Sequence, residues 1–179
     1  MGSVMGNVRA LLVVLTLTAA AYDWKYRIVP NWLTLTGVIA GLAVNTLLNG
    51  LTGPWVAISG AGFALLVYLP LYALRAMGGG DVKLMAAVGA LMGPFIWWGI
   101  FVYTVLIGGA AALVAIIAGG RFRRTLRNIW TILTSLARAK RPWVENPEID
   151  VGSERSLRLP HAVTIAAATL VYLIFGPLR

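Results

Sequence analysis

Apolar residues occupy most of this chain in six long runs, which short polar segments separate. The runs are continuous and do not alternate between apolar and polar positions, so they predict helices rather than strands. A run of about 18 or more mostly apolar residues is long enough to cross a bilayer. We therefore predict an all-α polytopic membrane protein, a compact bundle of about six transmembrane helices in a single domain, 1–179. The six runs cover residues 7–22, 32–49, 55–74, 82–92, 95–118 and 159–176.

The fourth run is shorter than the others. As a helix, Val82 to Met92 would rise only about 17 Å, whereas a bilayer's hydrocarbon core is about 30 Å thick. One interpretation is that this helix begins below the membrane surface, so that Gly78 to Asp81 lie at membrane depth. The other is that Gly93 and Pro94 form a kink and the fifth run completes the crossing.

Composition supports a membrane protein and removes some kinds of chemistry. Hydrophobic residues make up 59% of the chain and charged residues 12%, with a mean hydropathy of +0.82. There is no cysteine, which excludes disulfides, cysteine zinc sites and thiol nucleophiles within this sequence. The net charge of +9 is interpreted as the basic excess of cytoplasmic loops rather than as nucleic-acid binding.

The positions of the basic residues predict the orientation. All lysines and arginines except Arg9 and Arg179 fall in the segments 23–31, 75–83 and 119–158. Cytoplasmic loops carry the excess of Lys and Arg, so these segments are placed inside and both termini outside. The first run has no small-residue cleavage site and is interpreted as a retained span.

Within the polar loop 119–158, residues 124–140 have a helical period of their own. Leu126, Ile129 and Trp130 fall on one face, and arginines lie largely opposite. This pattern is typical of an amphipathic helix in the interface plane. We predict a cytoplasmic interfacial helix in contact with membrane lipids, anionic ones above all.

Two of the six acids lie at the predicted membrane edge. Asp23 follows the first run and Asp81 precedes the fourth, both on the cytoplasmic side. Carboxylates at membrane depth are costly and usually functional. Two that meet can share a proton, so that one activates a water while the other protonates the substrate. The alternative is that each only ends or caps a helix. The remaining acids are interpreted as solvated loop charges: Glu145, Glu148, Asp150 and Glu154.

Two segments around these acids resemble a known family. Residues 78–84 read Gly-Gly-Gly-Asp-Val-Lys-Leu, and residues 23–31 read Asp-Trp-Lys-Tyr-Arg-Ile-Val-Pro-Asn. Residues 78–84 are similar to the GxGDxKL signature of type IV prepilin peptidases and, more distantly, of presenilin-like GxGD proteases. Residues 23–31 resemble the upstream aspartate motif of the peptidases. Residues 85–93 and 159–167 continue the likeness in the same order.

The resemblance implies a membrane aspartic endopeptidase with Asp23 and Asp81 as its catalytic pair. It would cleave the leader peptide of pilin-like precursors at the cytoplasmic face of the inner (plasma) membrane, without a cofactor or metal. Other residues are expected to bind substrate or shape the site's loops. Gly78 and Gly80 would let the backbone bend and approach an extended substrate. Lys83 would reach the interface or hold a nearby carbonyl or carboxylate, and Pro30 and Asn31 would start the second helix.

The chain also departs from the family pattern. Larger members carry a cytoplasmic domain with paired CxxC zinc motifs that is linked to N-methylation. Since this sequence has no cysteine, cleavage without N-methylation is expected, as in the short peptidases of tight-adherence (Flp) pilus systems. Residues 161–168 of the last run lack the aromatic and the glycine expected there of short members, and His161 is interpreted as structural or interfacial.

Other functions remain as alternatives. A proton-coupled transporter with two carboxylates would place its acids near the bilayer midplane and show an inverted repeat, and neither is seen in the sequence. A non-enzymatic assembly subunit of a pilus or secretion system would use both aspartates only to end helices. A presenilin-like protease would share the chemistry but cut within spans. No nucleic-acid partner is predicted, and the sequence does not indicate an oligomeric state.

Overall fold

The structure, a computed structural model, describes residues 2–74, 77–120, 122–137 and 160–177. All regular structure in these ranges is helical, which confirms the predicted all-α class for this part of the chain. A short 3-10 turn, Gly50–Thr52, joins the second helix to the third. The helices are α1 Gly2–Tyr26, α2 Asn31–Asn49, α3 Gly53–Ala73, α4 Gly79–Ala118, α5 Phe122–Ala137 and α6 His161–Phe175.

Two helical stretches of the described chain are long and apolar enough to cross a membrane. The first is Asn31–Ala73, which consists of α2, the 3-10 turn and α3. The second is Gly79–Ala118, which is α4. The helix His161–Phe175 is apolar but shorter. The number of crossings, predicted as about six, stays a prediction.

Helix α4 reverses direction at Gly93. This residue has φ 72° and ψ 173°, outside the helical region, and Pro94 follows it. The indole N–H of Trp97 donates a hydrogen bond of 3.0 Å to the carbonyl of Met85, although twelve residues of straight helix would separate them by about 18 Å. The first arm, residues 79–92, and the second arm, residues 94–118, therefore fold back on each other. The interruption predicted at Gly93 and Pro94 is present, but the second arm turns back along the first arm rather than continuing in its direction.

Asn45 of α2 satisfies the carbonyls at this bend. Pro94 has no N–H for the carbonyl four residues before it, that of Ala90. The side-chain amide of Asn45 donates to Ala90 at 2.9 Å and to Leu91 at 3.2 Å, and also to Gly41 in its own helix at 3.0 Å. A buried carbonyl without a partner is costly, so Asn45 stabilises the interruption.

The first arm of α4 is the centre of the bundle. Nearly every residue of Val82–Leu91 is buried, because α2 and α3 pack against it on both sides. Gly60 of α3 lies against the backbone of Gly89, and Gly41 of α2 against that of Ala90, where added side chains would collide. Helices that approach this closely need small residues at the contact. The arm's first turn, which carries Asp81, is thereby held in place.

Helix α5, Phe122–Ala137, overlaps the helix that the sequence predicts over residues 124–140. Leu126, Ile129 and Trp130 are exposed on it. Its position at a cytoplasmic membrane surface stays a prediction. Residues 138–140 of the predicted helix and the loop 142–158 lie outside the described residues.

Candidate active site

Asp23 lies in the last full turn of α1 and is buried, with 9% of its surface exposed. Its Oδ2 accepts a hydrogen bond of 3.0 Å from the backbone N–H of Ala162, in the first turn of α6. The helix ends just beyond it, where Arg27 adopts φ 57° and its N–H bonds to the Asp23 carbonyl at 2.9 Å. The carboxylate is thus held between the end of α1 and the start of α6.

Asp81 lies in the first turn of α4 and is partly exposed. Its backbone N–H bonds to the carbonyl of Gly78 at 3.2 Å. Asp81 lies close enough to Asp23 for the two carboxyl groups to interact electrostatically. The structure therefore brings together the two acids that the sequence singled out, from helices far apart in the chain.

Two further titratable side chains adjoin the pair. Tyr68 of α3 is 1% exposed and lies near Asp81, while His161 lies near Asp23. Their ring centroids are 6.5 Å apart. Nε2 of His161 is buried, with no hydrogen-bond partner within the described structure. Sequence reasoning missed Tyr68, because nothing but its polar tip distinguishes it from the apolar residues around it.

The remaining predicted site residues gather at the same end of the bundle. Pro30 is extended and precedes the first residue of α2, Asn31, as predicted for a helix start. The ammonium group of Lys83 donates a hydrogen bond of 2.9 Å to the side-chain oxygen of Asn31. This acceptor is a side-chain amide carbonyl, the kind of partner that one of the two interpretations of Lys83 expects.

Gly78 and Gly80 do not adopt a backbone conformation that requires glycine. Neither belongs to the glycines with positive φ; Gly78 is extended and Gly80 lies in the first turn of α4. A Cβ at Gly80 would lie 3.1 Å from the Cβ of Val29. Gly80 therefore permits a close approach of the segment after α1, so that the two sequence motifs touch.

The site holds side chains that can take part in acid–base chemistry. Two interacting carboxyl groups of different exposure face one end of the bundle, with a tyrosine and a histidine beside them. Within the described residues, no three His, Cys, Asp or Glu side chains group in a way that could hold a metal ion. Such a carboxyl pair can activate a water and protonate a departing group.

Comparison with known proteins agrees with this geometry. The model of the type IV leader peptidase family matches residues 10–115, more than half of the chain, a region that includes Asp23 and Asp81 but not α6. A curated Bacillus subtilis (strain 168) protein, the prepilin leader peptidase/N-methyltransferase, is 28% identical over 116 residues. The alignment covers 64% of this chain and 46% of that protein, so the chain spans about half the length of this relative. No solved structure matches significantly.

Proposed function

Because the chain belongs to the type IV leader peptidase family, we propose that it is an aspartic endopeptidase that cleaves the leader peptide of pilin-like precursors. Asp23 and Asp81 are its catalytic carboxylates. The observation that carries this proposal is that the two motifs meet at one end of the bundle, where Gly80 packs against Val29 and Lys83 bonds to Asn31, so that the two carboxyl groups lie near enough to interact electrostatically. Each reaches that position from its own motif, on α1 and α4.

The carboxyl pair supports the following hydrolysis. One carboxylate takes a proton from a water molecule, whose oxygen attacks the carbonyl carbon of the scissile peptide. The other, protonated, carboxyl group donates its proton to the carbonyl oxygen and so stabilises the tetrahedral intermediate. Breakdown returns a proton to the leaving amine and frees both products. Interacting carboxyl groups suit these two roles because they share one proton readily.

The proposed substrate is a single-span precursor whose polar leader meets its apolar helix at the membrane edge. We place the enzyme in the inner (plasma) membrane with its site at the cytoplasmic face, since the motifs lie in segments rich in Lys and Arg. A reporter fused after Gly50 is then extracytoplasmic, and one fused within 143–153 is cytoplasmic. Export of the reporter within 143–153 would contradict this orientation.

The proposed reaction ends at cleavage, without N-methylation of the new terminus. The family resemblance links methylation to paired CxxC zinc motifs, and the sequence has no cysteine. The named Bacillus subtilis relative carries both activities in its name. Mass measurement of the mature product distinguishes the two outcomes, because each methylation replaces one hydrogen by a methyl group and so adds the mass of a CH2 unit.

The arrangement does not favour the two non-protease alternatives. Both aspartates lie near helix ends at one end of the bundle, whereas a relay transporter needs acids near the bilayer midplane. A non-enzymatic assembly subunit would not use the acid–base chemistry of either carboxyl group. It would therefore keep its function when Asp23 or Asp81 is replaced by asparagine. The experiment below separates this alternative from a peptidase.

The test is co-expression with a pilin precursor, followed by mass measurement of its N-terminus. The unmodified chain should yield the mature form, while Asp23→Asn and Asp81→Asn should each abolish processing at normal membrane abundance. Glu145→Gln is the matched control, since it neutralises an acid outside both motifs, and it should process normally. Processing at the normal rate by either Asn variant would overturn the assignment.

A further inference from the structure

The last helix, α6, lies outside the region that the family model matches, yet its first turn contacts Asp23. Ala162 is fully buried, and its backbone N–H points at the Asp23 carboxyl group with an N–O distance of 3.0 Å. The contact joins residues 139 positions apart in the sequence. It is therefore a property of the assembled bundle rather than of a local motif.

The helix start leaves this N–H free to bond outside α6. The first N–H groups of any helix have no partner within it. Pro160 precedes α6 and provides no side-chain cap, so the Asp23 carboxyl group caps α6 from another helix. A buried carboxyl group also needs hydrogen-bond partners. The bond thus satisfies both groups.

The donor is held rigidly by the packing of α6. Ile165 and Ala166 are buried in the turn after Ala162. Farther along, Gly99 of the second arm of α4 lies against the ring of Tyr172, with no room for a side chain. Because α6 packs against both α1 and α4, the N–H of Ala162 has a fixed place relative to both motifs.

We propose that α6 is part of the active site and that the backbone N–H of Ala162 is a positioning donor, which fixes the Asp23 carboxyl group in the orientation that hydrolysis needs. This inference rests on the proposed peptidase function. Without the bond, the carboxyl group is free to rotate about its side-chain dihedral angles. The reacting pair then loses the fixed geometry on which general acid–base catalysis depends.

The experiment removes the N–H without changing the side chain. Replacement of Ala162 by its α-hydroxy analogue, lactic acid, converts the amide to an ester and deletes only the donor. The matched control is the same ester at Val163, whose N–H bonds to the Pro160 carbonyl at 3.2 Å and not to Asp23. Each ester removes one backbone N–H from the first turn of α6, so the two should destabilise the start of the helix to a similar extent. Ile165→Val is a further control, which loosens the packing of α6 and keeps every N–H.

The expected result is a kcat for leader cleavage roughly ten- to a hundred-fold lower in the 162 ester, the range for a lost hydrogen bond to a charged group. KM and the unfolding temperature should stay close to those of the 163 ester. Equal kcat values for the two esters, or an equal loss in Ile165→Val, would overturn the positioning role. If the unmodified chain cleaves no precursor, the proposed function fails instead, so the two failures are distinguishable.

Discussion

Lys83, near the start of α4, donates a hydrogen bond of 2.9 Å from its ammonium group to the side-chain oxygen of Asn31, the first residue of α2. The bond joins the motif of Asp81 to the motif of Asp23. It also closes the segment 27–30 against the first turn of α4, where Val29 meets Gly80. The contribution of this hydrogen bond to catalysis can be measured by removing each of its partners.

We expect Lys83→Met and Asn31→Leu each to lower kcat/KM for leader cleavage by roughly three- to ten-fold, the usual worth of one hydrogen bond. The double variant should be no slower than the worse single variant, because both remove the same interaction. Arg127→Met, which removes an exposed cation from α5, is the control and should cleave normally. Additive losses in the double variant would show that the two side chains act separately.

Gly80 gives another prediction. It distinguishes two reasons for a glycine at this position, the close packing of Val29 and the approach of an extended substrate. The close fit between Gly80 and Val29 predicts that Gly80→Ala slows cleavage several-fold. Gly80→Leu should abolish cleavage, because its larger side chain overpacks this contact, which typically destabilises a protein by about 1–3 kcal/mol. Val29→Gly should then restore Gly80→Ala, since it removes the Cβ that lies 3.1 Å from the new Cβ.

Gly79→Ala is the matched control for this series. Its new Cβ would make only ordinary contact with the Tyr72 ring, at 3.4 Å, and cleavage should be nearly normal. If Val29→Gly fails to restore Gly80→Ala, the bare backbone at Gly80 is needed for another purpose, such as the approach of an extended substrate.

Asn45 gives a prediction about stability. Asn45→Leu should lower the free energy of unfolding by about 1–3 kcal/mol, because the Ala90 and Leu91 carbonyls lose a buried donor. Thermal unfolding in detergent measures it. Thr46→Val is the neighbouring control; it removes an exposed hydroxyl that bonds only within α2, to Leu42, and should change little. Equal losses in both variants would mean that the bend at Gly93 needs no side-chain donor.

Cleavage should also persist in the presence of EDTA and of thiol-blocking reagents. The proposed chemistry uses two carboxyl groups and a water, and the sequence has no thiol. The measurement is the processing rate of purified enzyme before and after treatment. A loss of activity on chelation that zinc restores would replace the aspartic mechanism with a metal-dependent one.

Local chemistry explains which parts of this molecule the sequence predicted. The helices follow from continuous apolar runs, and Asp23 and Asp81 stand out because carboxylates are rare at membrane depth. The direction of the chain at Gly93 did not follow, since a glycine before a proline fits both a kink and a reversal. Only the positive φ of Gly93 and the reach of Trp97 to Met85 decide between them.

The contacts that complete the site were beyond sequence reasoning for a different reason. The donor to Asp23 is a main-chain N–H, which almost every residue has, so no residue type at position 162 identifies it. The partner of Lys83 could be named only as a nearby carbonyl, because its identity depends on how α2 packs beside α4. Tertiary packing, rather than local pattern, selects both.

The bond between Asp23 and Ala162 has a consequence for biosynthesis. Asp23 belongs to α1 and Ala162 to α6, so the ribosome makes the acceptor long before the donor. A nascent chain that has inserted α1 to α4 already contains both aspartates, but the carboxyl group of Asp23 still lacks its amide partner. Under the positioning role proposed for Ala162, full catalytic activity is expected only once α6 has packed beside the preceding helices.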